Sequence, residues 1–134
     1  MGKHSLVLVS NRNEIRKFET LLTEINESFA MPMEKFINFQ IASSEALVNA
    51  IVHGNKEDES KKVYIDIITT DTSMELRIKD EGEGFEMEKL PDPTDDSNLL
   101  KEHGRGIFII RSLVDEFHIE SDKTGTRMVL LMAK

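Results

Sequence analysis

Hydrophobic residues recur at helical spacing in two stretches of the first half of the chain. In the first, Ile15–Ile25, they repeat every three or four residues, which predicts a helix over about residues 13–27. The second stretch follows Pro32, a residue that suits the first turn of a helix. We expect this second helix to end at Gly54, which can adopt the left-handed conformation that closes helices.

Alternation of apolar and polar residues predicts a β-hairpin in the middle of the chain. Val63–Ile68 and Met74–Lys79 both alternate, and the segment Asp71–Ser73 between them has the composition of a turn. Asp80 continues the apolar face of the second strand, the face that should pack on the helices. A carboxylate at this position predicts a functional side chain rather than a solvated one.

Shorter apolar runs complete the predicted elements. We expect an edge strand at Ser5–Val9 and two strands near the end of the chain, at Phe117–Ser121 and Arg127–Met132. The segment Pro91–His103 is rich in Pro, Asp and Ser and has no lasting periodicity, so it predicts a mobile loop. Apolar residues from Ile107 to Val114 predict a short buried helix after this loop.

Composition narrows the class of protein. The chain has 134 residues, 39% of them hydrophobic, and we expect a single domain over residues 1–134. It contains no cysteine, so disulfides and thiolate metal sites are excluded. A net charge of −8 argues against direct binding to nucleic acid, because phosphates are bound by clustered Lys and Arg. No apolar run suits a membrane span or a signal peptide, and we expect a soluble cytoplasmic protein.

One polar pair interrupts the second predicted helix. Glu45 and Asn49 are four residues apart, so their oxygen-bearing side chains share one face of a helix that is otherwise mostly apolar. A polar pair on such a helix needs a partner, and a metal-bound anion is one. A solvated stripe or a helix-stabilising hydrogen bond is the commoner explanation of such a pair.

Two glycine-rich segments add candidate chemistry. In Asp80–Phe85 (DEGEGF) the glycines permit turns and close approach of the backbone to a ligand. Gly104–Gly106 directly precedes the buried helix, and a glycine-rich loop that leads into a helix points free amides at an anion. Each segment alone could also be an ordinary turn.

Taken in order, EALVNAIVHGN, DEGEGF, the predicted loop, GRGIFII and GTRMVL resemble the ATP-binding domain of the GHKL superfamily, which includes gyrase, histidine kinases and mismatch-repair ATPases. The resemblance covers nearly the whole chain from Phe36 onward. It implies the Bergerat ATP-binding fold, an α/β two-layer sandwich (α+β) with helices on one face of a mixed, mostly antiparallel sheet. ATP would lie under a lid, for which Pro91–His103 is the counterpart.

The resemblance also implies a role for each matching residue. Glu45 would be the general base, Asn49 the Mg²⁺ ligand, and Asp80 the side chain that reads adenine. The other nucleotide-binding residues that it implies are Gly82 and Gly84 beside the purine, Gly104 and Gly106 with Arg105 between them at the phosphates, Thr126 near adenine, and Arg12 reaching the phosphates from the start of the first helix.

In its small size and in the glutamate of its first motif, the chain resembles the anti-sigma-factor serine kinases. This resemblance implies a Mg²⁺-ATP-dependent kinase that phosphorylates a serine on a small, STAS-like antagonist protein in a partner-switching pathway. It also implies binding to a sigma factor and a homodimer. Two alternatives stay open: a binding module whose nucleotide, ADP or ATP, sets its choice of partner with little or no catalysis, and a structural α/β domain.

Overall fold

The computed structural model describes residues 2–84 and 98–134, and for residues 98–103 the backbone alone. Short irregular segments join the regular elements, including a 3₁₀ turn at Arg12–Glu14 and a π-helix at Asn49–Gly54. The strands and α-helices, in chain order, are β1 Gly2–Val9, α1 Ile15–Phe29, α2 Met33–Val48, β2 Lys62–Thr69, β3 Ser73–Lys79, α3 Asn98–Leu113, β4 Glu116–Asp122 and β5 Gly125–Ala133.

The five strands form one sheet in the order β1-β2-β3-β5-β4. All four pairings among the described residues are antiparallel. The predicted β2–β3 hairpin is confirmed, with Ile65 opposite Ile78 and Ile67 opposite Leu76. The prediction that the first strand lies at a sheet edge is confirmed too, because β1 pairs with β2 alone.

One face of the sheet packs on the helices and the other is open. The alternating inward residues of β2, β3 and β5 are buried, and α2 contacts both β3 and β5. Their neighbours Tyr64 and Arg77 are exposed on the opposite face. The two-layer α/β class is therefore confirmed. The largest fully buried side chains of this core are Phe18, Phe39, Leu8, Leu22, Leu47, Ile51, Ile65, Ile67, Met74, Leu76, Ile78 and Ile110.

Helix α1 is about two residues displaced from its predicted bounds. The side chain of Asn11 accepts a hydrogen bond from the Asn13 amide at 2.9 Å, and the chain first makes a 3₁₀ turn there. The helix ends at Phe29, and Ala30 caps it in a left-handed conformation with a φ of 59°. Its apolar face is buried as the periodicity predicts, through Ile15, Phe18, Leu22, Ile25 and Phe29.

The second helix does not continue as an α-helix to Gly54. From Asn49 it widens into the π-helix, which closes with a hydrogen bond of 2.8 Å from the Asn55 amide to the Ala50 carbonyl. The expected left-handed conformation of Gly54 is wrong, because the positive φ values after this helix belong to Lys56 and Glu57. Such π-turns are rare in proteins, and those that occur are often found at functional sites.

Helix α3 begins earlier than the sequence predicts. It starts at Asn98, so Gly104 and Gly106 lie inside the helix rather than in a loop before it. The predicted mobile loop is wrong for residues 98–103, and its remaining part, 91–97, lies outside the described residues. Glycine costs about 1 kcal/mol relative to alanine inside a helix. Its presence here indicates a close contact that needs the missing side chain.

Across the described ranges, 2–84 and 98–134, the helices are too short or too polar for any of them to traverse a lipid bilayer.

Candidate functional site

Asp80 directly follows β3 and is buried in the protein. It lies on the face that holds Met74, Leu76 and Ile78, as the alternation predicts, and only 1% of it is exposed. Its Oδ1 atom accepts hydrogen bonds from the amides of Gly82 and Thr126, both at 3.0 Å. Its Oδ2 atom packs against Gly54 and accepts no hydrogen bond within the part of the chain that the structure describes.

Burial sets the ionisation of this carboxyl. Desolvation raises the pKa of Asp80 above its ordinary value, and the amide hydrogen bonds from Gly82 and Thr126 offset part of that rise. The nearby charges of Lys79 and Lys61 also favour the carboxylate. Backbone hydrogen bonds therefore orient the Asp80 carboxylate but do not fully offset the cost of burying its charge. A hydrogen-bond donor from a ligand would offset the remaining cost.

Glycine backbones enclose Asp80. A Cβ atom added to Gly54 would overlap Asp80 Oδ2, and one added to Gly82 would overlap the carbonyl of Gly54. Gly125, with a φ of 132°, packs against the Asp80 carbonyl in the same way. Gly82 closely approaches the Gly54 carbonyl, and the contact with the purine that the resemblance implies for Gly82 stays a prediction. The sequence analysis missed the contacts of Gly54 and Gly125. A glycine just after an apolar helix was the available signal for Gly54.

Thr126 joins β5 to Asp80 through its backbone. Besides donating its amide to Oδ1, it accepts a hydrogen bond of 3.0 Å from the Asp80 amide. Its hydroxyl, buried with the rest of the residue, shares a hydrogen bond of 2.8 Å with the hydroxyl of Ser121. The structure therefore places Thr126 beside the carboxylate, where the resemblance implies an adenine site.

Asn49 presents a buried oxygen that has no hydrogen-bond partner. The residue is 3% exposed, and its Nδ2 atom donates to the carbonyl of Glu45 at 3.0 Å, which fixes the side-chain amide. Its Oδ1 atom is buried and makes no hydrogen bond with the rest of the described chain. An unsatisfied buried acceptor costs about 1–3 kcal/mol, so its presence indicates a partner that arrives with a ligand.

Gly106 brings α3 against this part of α2. A Cβ atom added to Gly106 would lie 2.7 Å from Asn49 Nδ2 and 3.4 Å from Glu45 Oε2. This contact explains the glycine inside α3. It also shows that Glu45, Asn49 and Gly106 lie together, as the resemblance implies, although Gly106 belongs to a helix and not to a loop.

The six residues of the π-helix connect the two halves of the site. Asn49 is its first residue, and Gly54, its last, packs on Asp80. Asp80 Oδ2 and Asn49 Oδ1, which have no hydrogen-bond partner among the described residues, therefore lie near opposite ends of one short segment. This arrangement suits an elongated ligand that carries a hydrogen-bond donor at one end and a cation at the other.

A magnesium ion fits the donor set at Asn49. Mg²⁺ prefers oxygen ligands and is commonly held by one or two protein groups, with phosphates and water supplying the rest. Among residues 2–84 and the described side chains after them, no three His, Asp or Glu side chains cluster to hold a metal alone. Asn49 Oδ1 would thus be a protein ligand to a cation that arrives with phosphates.

For Arg12, Gly84, Gly104 and Arg105, no described contact joins the residue to Asp80, Asn49 or Glu45. Arg12 pairs with Glu57 at 3.2 Å on the surface, and the two side chains are 62% and 45% exposed. Arg105 is exposed on α3, Gly104 is buried in the same helix, and Gly84, with a φ of 78°, packs on the backbone of Asp122. Their proposed nucleotide contacts stay predictions.

Comparison with known proteins agrees with this geometry. Residues 8–134 match the model of the histidine kinase-like ATPase domain. An anti-sigma F factor of Geobacillus sp. (strain WCH70) is 31% identical over 134 residues, which cover 89% of this chain and 91% of that protein. The serine-protein kinase RsbW of Oceanobacillus iheyensis is 28% identical over 106 residues, covering 75% of this chain and 67% of the relative.

A solved structure shares the fold. The RsbU and RsbW domains of Rv1364c from Mycobacterium tuberculosis superpose with a TM-score of 0.70 at 19% identity, over 98% of this chain. The match spans 32% of that longer chain. Because the sequence identity is only 19%, the match supports the fold alone. The family match over residues 8–134 and the relatives at about 30% identity are decisive: the chain belongs to the histidine kinase-like ATPase domain family, in the group of the anti-sigma factors.

Proposed function

We propose that the chain is a Mg²⁺-ATP-dependent serine kinase of the anti-sigma-factor type. It transfers the γ-phosphoryl group of ATP to a serine of a small, STAS-like antagonist protein, and it binds a sigma factor in the same partner-switching pathway. The names of the relatives, anti-sigma F factor and serine-protein kinase, support this proposal. The single observation that carries it is the buried Asn49 Oδ1 atom beside Glu45, which has no hydrogen-bond partner among the residues that the structure describes.

Asp80 selects the base of the nucleotide. Its ionised Oδ2 atom accepts a hydrogen bond from the exocyclic amine of adenine, while the Gly82 and Thr126 amides hold Oδ1 in place. A guanine carries a carbonyl oxygen at that position, and two facing acceptors repel each other. The site therefore favours ATP over GTP.

Asn49 and Glu45 serve the phosphate end. Asn49 Oδ1 would hold Mg²⁺, which neutralises charge on the phosphates when it is bound. Glu45 accepts the proton of the acceptor serine as the hydroxyl oxygen bonds to the γ-phosphorus and the bond from that phosphorus to the β–γ bridging oxygen breaks, releasing ADP. Close packing of Gly106 on both side chains fixes the base relative to the cation ligand.

An exposed apolar stripe on α2 supports a protein substrate. Met33, Ile37 and Ile41 recur every four residues and are 78%, 47% and 46% exposed. The next residue at this spacing is Glu45, so the stripe leads along one side of the helix to the proposed base. Exposed apolar side chains grouped in this way are typical of protein contacts. We assign the stripe to the antagonist protein that carries the acceptor serine.

The stripe is tested with Ile37→Glu. This variant should weaken binding of the antagonist and leave Mg²⁺-ATP affinity unchanged, whereas Thr20→Glu, which adds the same charge at an exposed position of α1, should change neither. Unchanged antagonist binding would remove the assignment. Conversion of a dimer to a monomer by Ile37→Glu would instead assign the stripe to a second copy of the chain.

Phosphate transfer tests the proposal as a whole. The chain, γ-labelled ATP and the antagonist protein should yield label on a serine, and Glu45→Gln should lower the rate by roughly 10²- to 10⁴-fold with little loss of ATP affinity. The proposed place of this reaction is the cytoplasm, which supplies ATP and Mg²⁺. Nucleotide-dependent binding of a partner without any transfer by the wild type would favour the alternative of a non-catalytic binding module.

A further inference from the structure

Asn55 follows the π-helix and is almost completely buried. It is 1% exposed, and all of its side-chain hydrogen-bonding groups are engaged. Its Nδ2 atom donates to Ser10 Oγ at 2.8 Å and to the Lys62 carbonyl at 3.0 Å. Its Oδ1 atom accepts a hydrogen bond of 2.8 Å from the amide of Glu81. The last of these bonds ties Asn55 to the residue that directly follows Asp80.

The backbone of Asn55 bonds to the segment that carries Asn49, the cation-binding half of the proposed site. Its amide closes the π-helix by donating to the Ala50 carbonyl at 2.8 Å, one residue after the proposed cation ligand Asn49. One residue is therefore bonded to the segment that carries Asn49 and, through its side chain, to the turn that carries Asp80. No assigned role in nucleotide binding explains this double connection.

Glycines form much of the contact between the end of the π-helix and the turn that carries Asp80. Gly54 and Gly82 pack so closely that a Cβ on Gly82 would overlap the Gly54 carbonyl. Glycines contribute no side-chain contacts that could fix the distance between these two segments. The hydrogen bond from the Glu81 amide to Asn55 Oδ1 supplies a directional link at this point.

The far side of Asn55 is anchored independently of the site. Ser10, at the end of β1, donates its hydroxyl to the Lys61 carbonyl at 2.6 Å while accepting from Asn55. The Lys62 carbonyl, at the start of β2, holds the same amide group. Lys62 belongs to β2 and Ser10 directly follows β1, so Asn55 connects the turn that carries Asp80 to two neighbouring strands of the sheet.

We infer that Asn55 is a positioning residue that sets the spacing between the adenine-reading carboxylate Asp80 and the cation ligand Asn49. The inference rests on the proposed function, because it concerns how that nucleotide site is built. Its consequence is specific: Asn55 should matter most for a ligand that reaches both halves at once, since such a ligand needs the two halves at a fixed distance.

Two ligands separate this role from a general effect on stability. Mg²⁺-ATP spans both halves, whereas adenosine occupies the Asp80 half alone. In Asn55→Ala, measured well below its melting temperature, the ratio of Mg²⁺-ATP affinity to adenosine affinity should fall roughly 5- to 10-fold, the factor expected for one hydrogen bond. A residue that only stabilises the fold would leave this ratio at the wild-type value.

Two further variants sharpen the test. Ser10→Ala removes one anchor and keeps the Glu81 bond, so it should lower the melting temperature and leave the ratio unchanged. Asn55→Asp keeps the acceptor for the Glu81 amide and loses the donors, and it should behave in the same way. If Asn55→Ala fails to fold, Asn55→Ser replaces it, because its hydroxyl is too short to restore the bond to Glu81.

Each outcome decides the inference. A lower ratio in Asn55→Ala, or in its replacement Asn55→Ser, with a preserved ratio in Asn55→Asp supports it. A wild-type ratio in Asn55→Ala, or an equal loss in Asn55→Asp, overturns it while leaving the proposed function intact. A wild-type chain that binds no Mg²⁺-ATP would overturn the proposed function itself.

Discussion

Gly54 lies so close to Asp80 that a single methyl group on Gly54 would overlap the Oδ2 atom of the carboxylate. The end of the π-helix thus forms one wall of the proposed adenine site, although it is distant from β3 in the sequence. The glycine is required by this contact and not by its backbone angle. The size of residue 54 therefore controls where the Asp80 carboxylate can lie.

Gly54→Ala should disturb both the fold and the site. Overpacking of a tight interior contact costs about 1–3 kcal/mol, and denaturant unfolding should show a loss of that size. Mg²⁺-ATP affinity should fall as well, because the carboxylate must move. Gly2→Ala is the matched control, since its added Cβ would meet only Thr69 Oγ1 at 3.2 Å and a histidine side chain. Equal ATP affinity in Gly54→Ala and wild type would contradict the claim that Gly54 forms one wall of the adenine site.

Asp80→Asn should separate stability from binding. The asparagine keeps an oxygen for the Gly82 and Thr126 amides and removes a desolvated charge, so the free energy of unfolding without nucleotide should stay equal or rise by about 1 kcal/mol. ATP affinity, measured by calorimetry, should fall roughly 10- to 100-fold, because a donor would then face the adenine amine. The preference for ATP over GTP should shrink. Retained affinity would place adenine elsewhere.

The raised pKa of Asp80 should make the folded state less stable as the pH rises through that pKa. Because desolvation lifts its folded-state pKa above the unfolded value of about 3.9, the folded state binds more protons between those two values. The destabilisation from the buried charge is therefore full above the folded pKa and is relieved as the pH falls toward 3.9. The stability advantage of Asp80→Asn should shrink over that window in denaturant titrations.

Asp122 provides a control of opposite sign for the pH experiment. A hydrogen bond from the Thr124 hydroxyl, followed by one from the Thr124 amide, lowers the pKa of Asp122. Asp122→Asn should therefore reduce stability at neutral pH, and the difference should disappear only as the pH falls below about 4. Identical pH profiles for the Asp80 and Asp122 variants would show that burial does not control Asp80.

Gly106→Ala should impair catalysis without unfolding the protein. Alanine favours a helix interior by about 1 kcal/mol over glycine, but its methyl group would press on the Asn49 amide and approach Glu45. We expect the transfer rate to fall at least 10-fold in the kinase assay while the melting temperature stays near that of the wild type. Ser112→Ala, an exposed change in the same helix, should leave the rate unchanged. A normal rate in Gly106→Ala would contradict the claim that the packing of α3 positions Glu45 and Asn49 for catalysis.

Asn49→Ala should remove the effect of Mg²⁺ on nucleotide binding. In wild type, Mg²⁺ should strengthen ATP binding relative to excess EDTA, because Asn49 Oδ1 gains a partner that it does not find among the described residues. In the variant, affinity with and without Mg²⁺ should be nearly equal. Asn38→Ala, on the preceding helix α2, should keep the full Mg²⁺ effect. A Mg²⁺ effect that survives in Asn49→Ala would assign the cation to other ligands.

The sequence was sufficient for the strands and for the inward direction of Asp80, because period-two alternation directly encodes which residues face the core. It could not locate the π-helix, because the continuous apolar run Ala50–Val52 has no periodicity that distinguishes a π-turn from an α-turn. The start of α3 was missed because polar residues before Gly104 hide its periodicity. The roles of Gly54 and Asn55 depend on contacts between segments that lie far apart in the chain.

The most direct test of the account is a crystal structure of the chain with Mg²⁺ and a non-hydrolysable ATP analogue. We predict one nucleotide whose adenine amine bonds to Asp80 Oδ2 and whose phosphates share a magnesium ion with Asn49 Oδ1, with Glu45 facing the γ-phosphate. A nucleotide bound away from Asp80, or a magnesium ion without Asn49 as a ligand, would contradict the account.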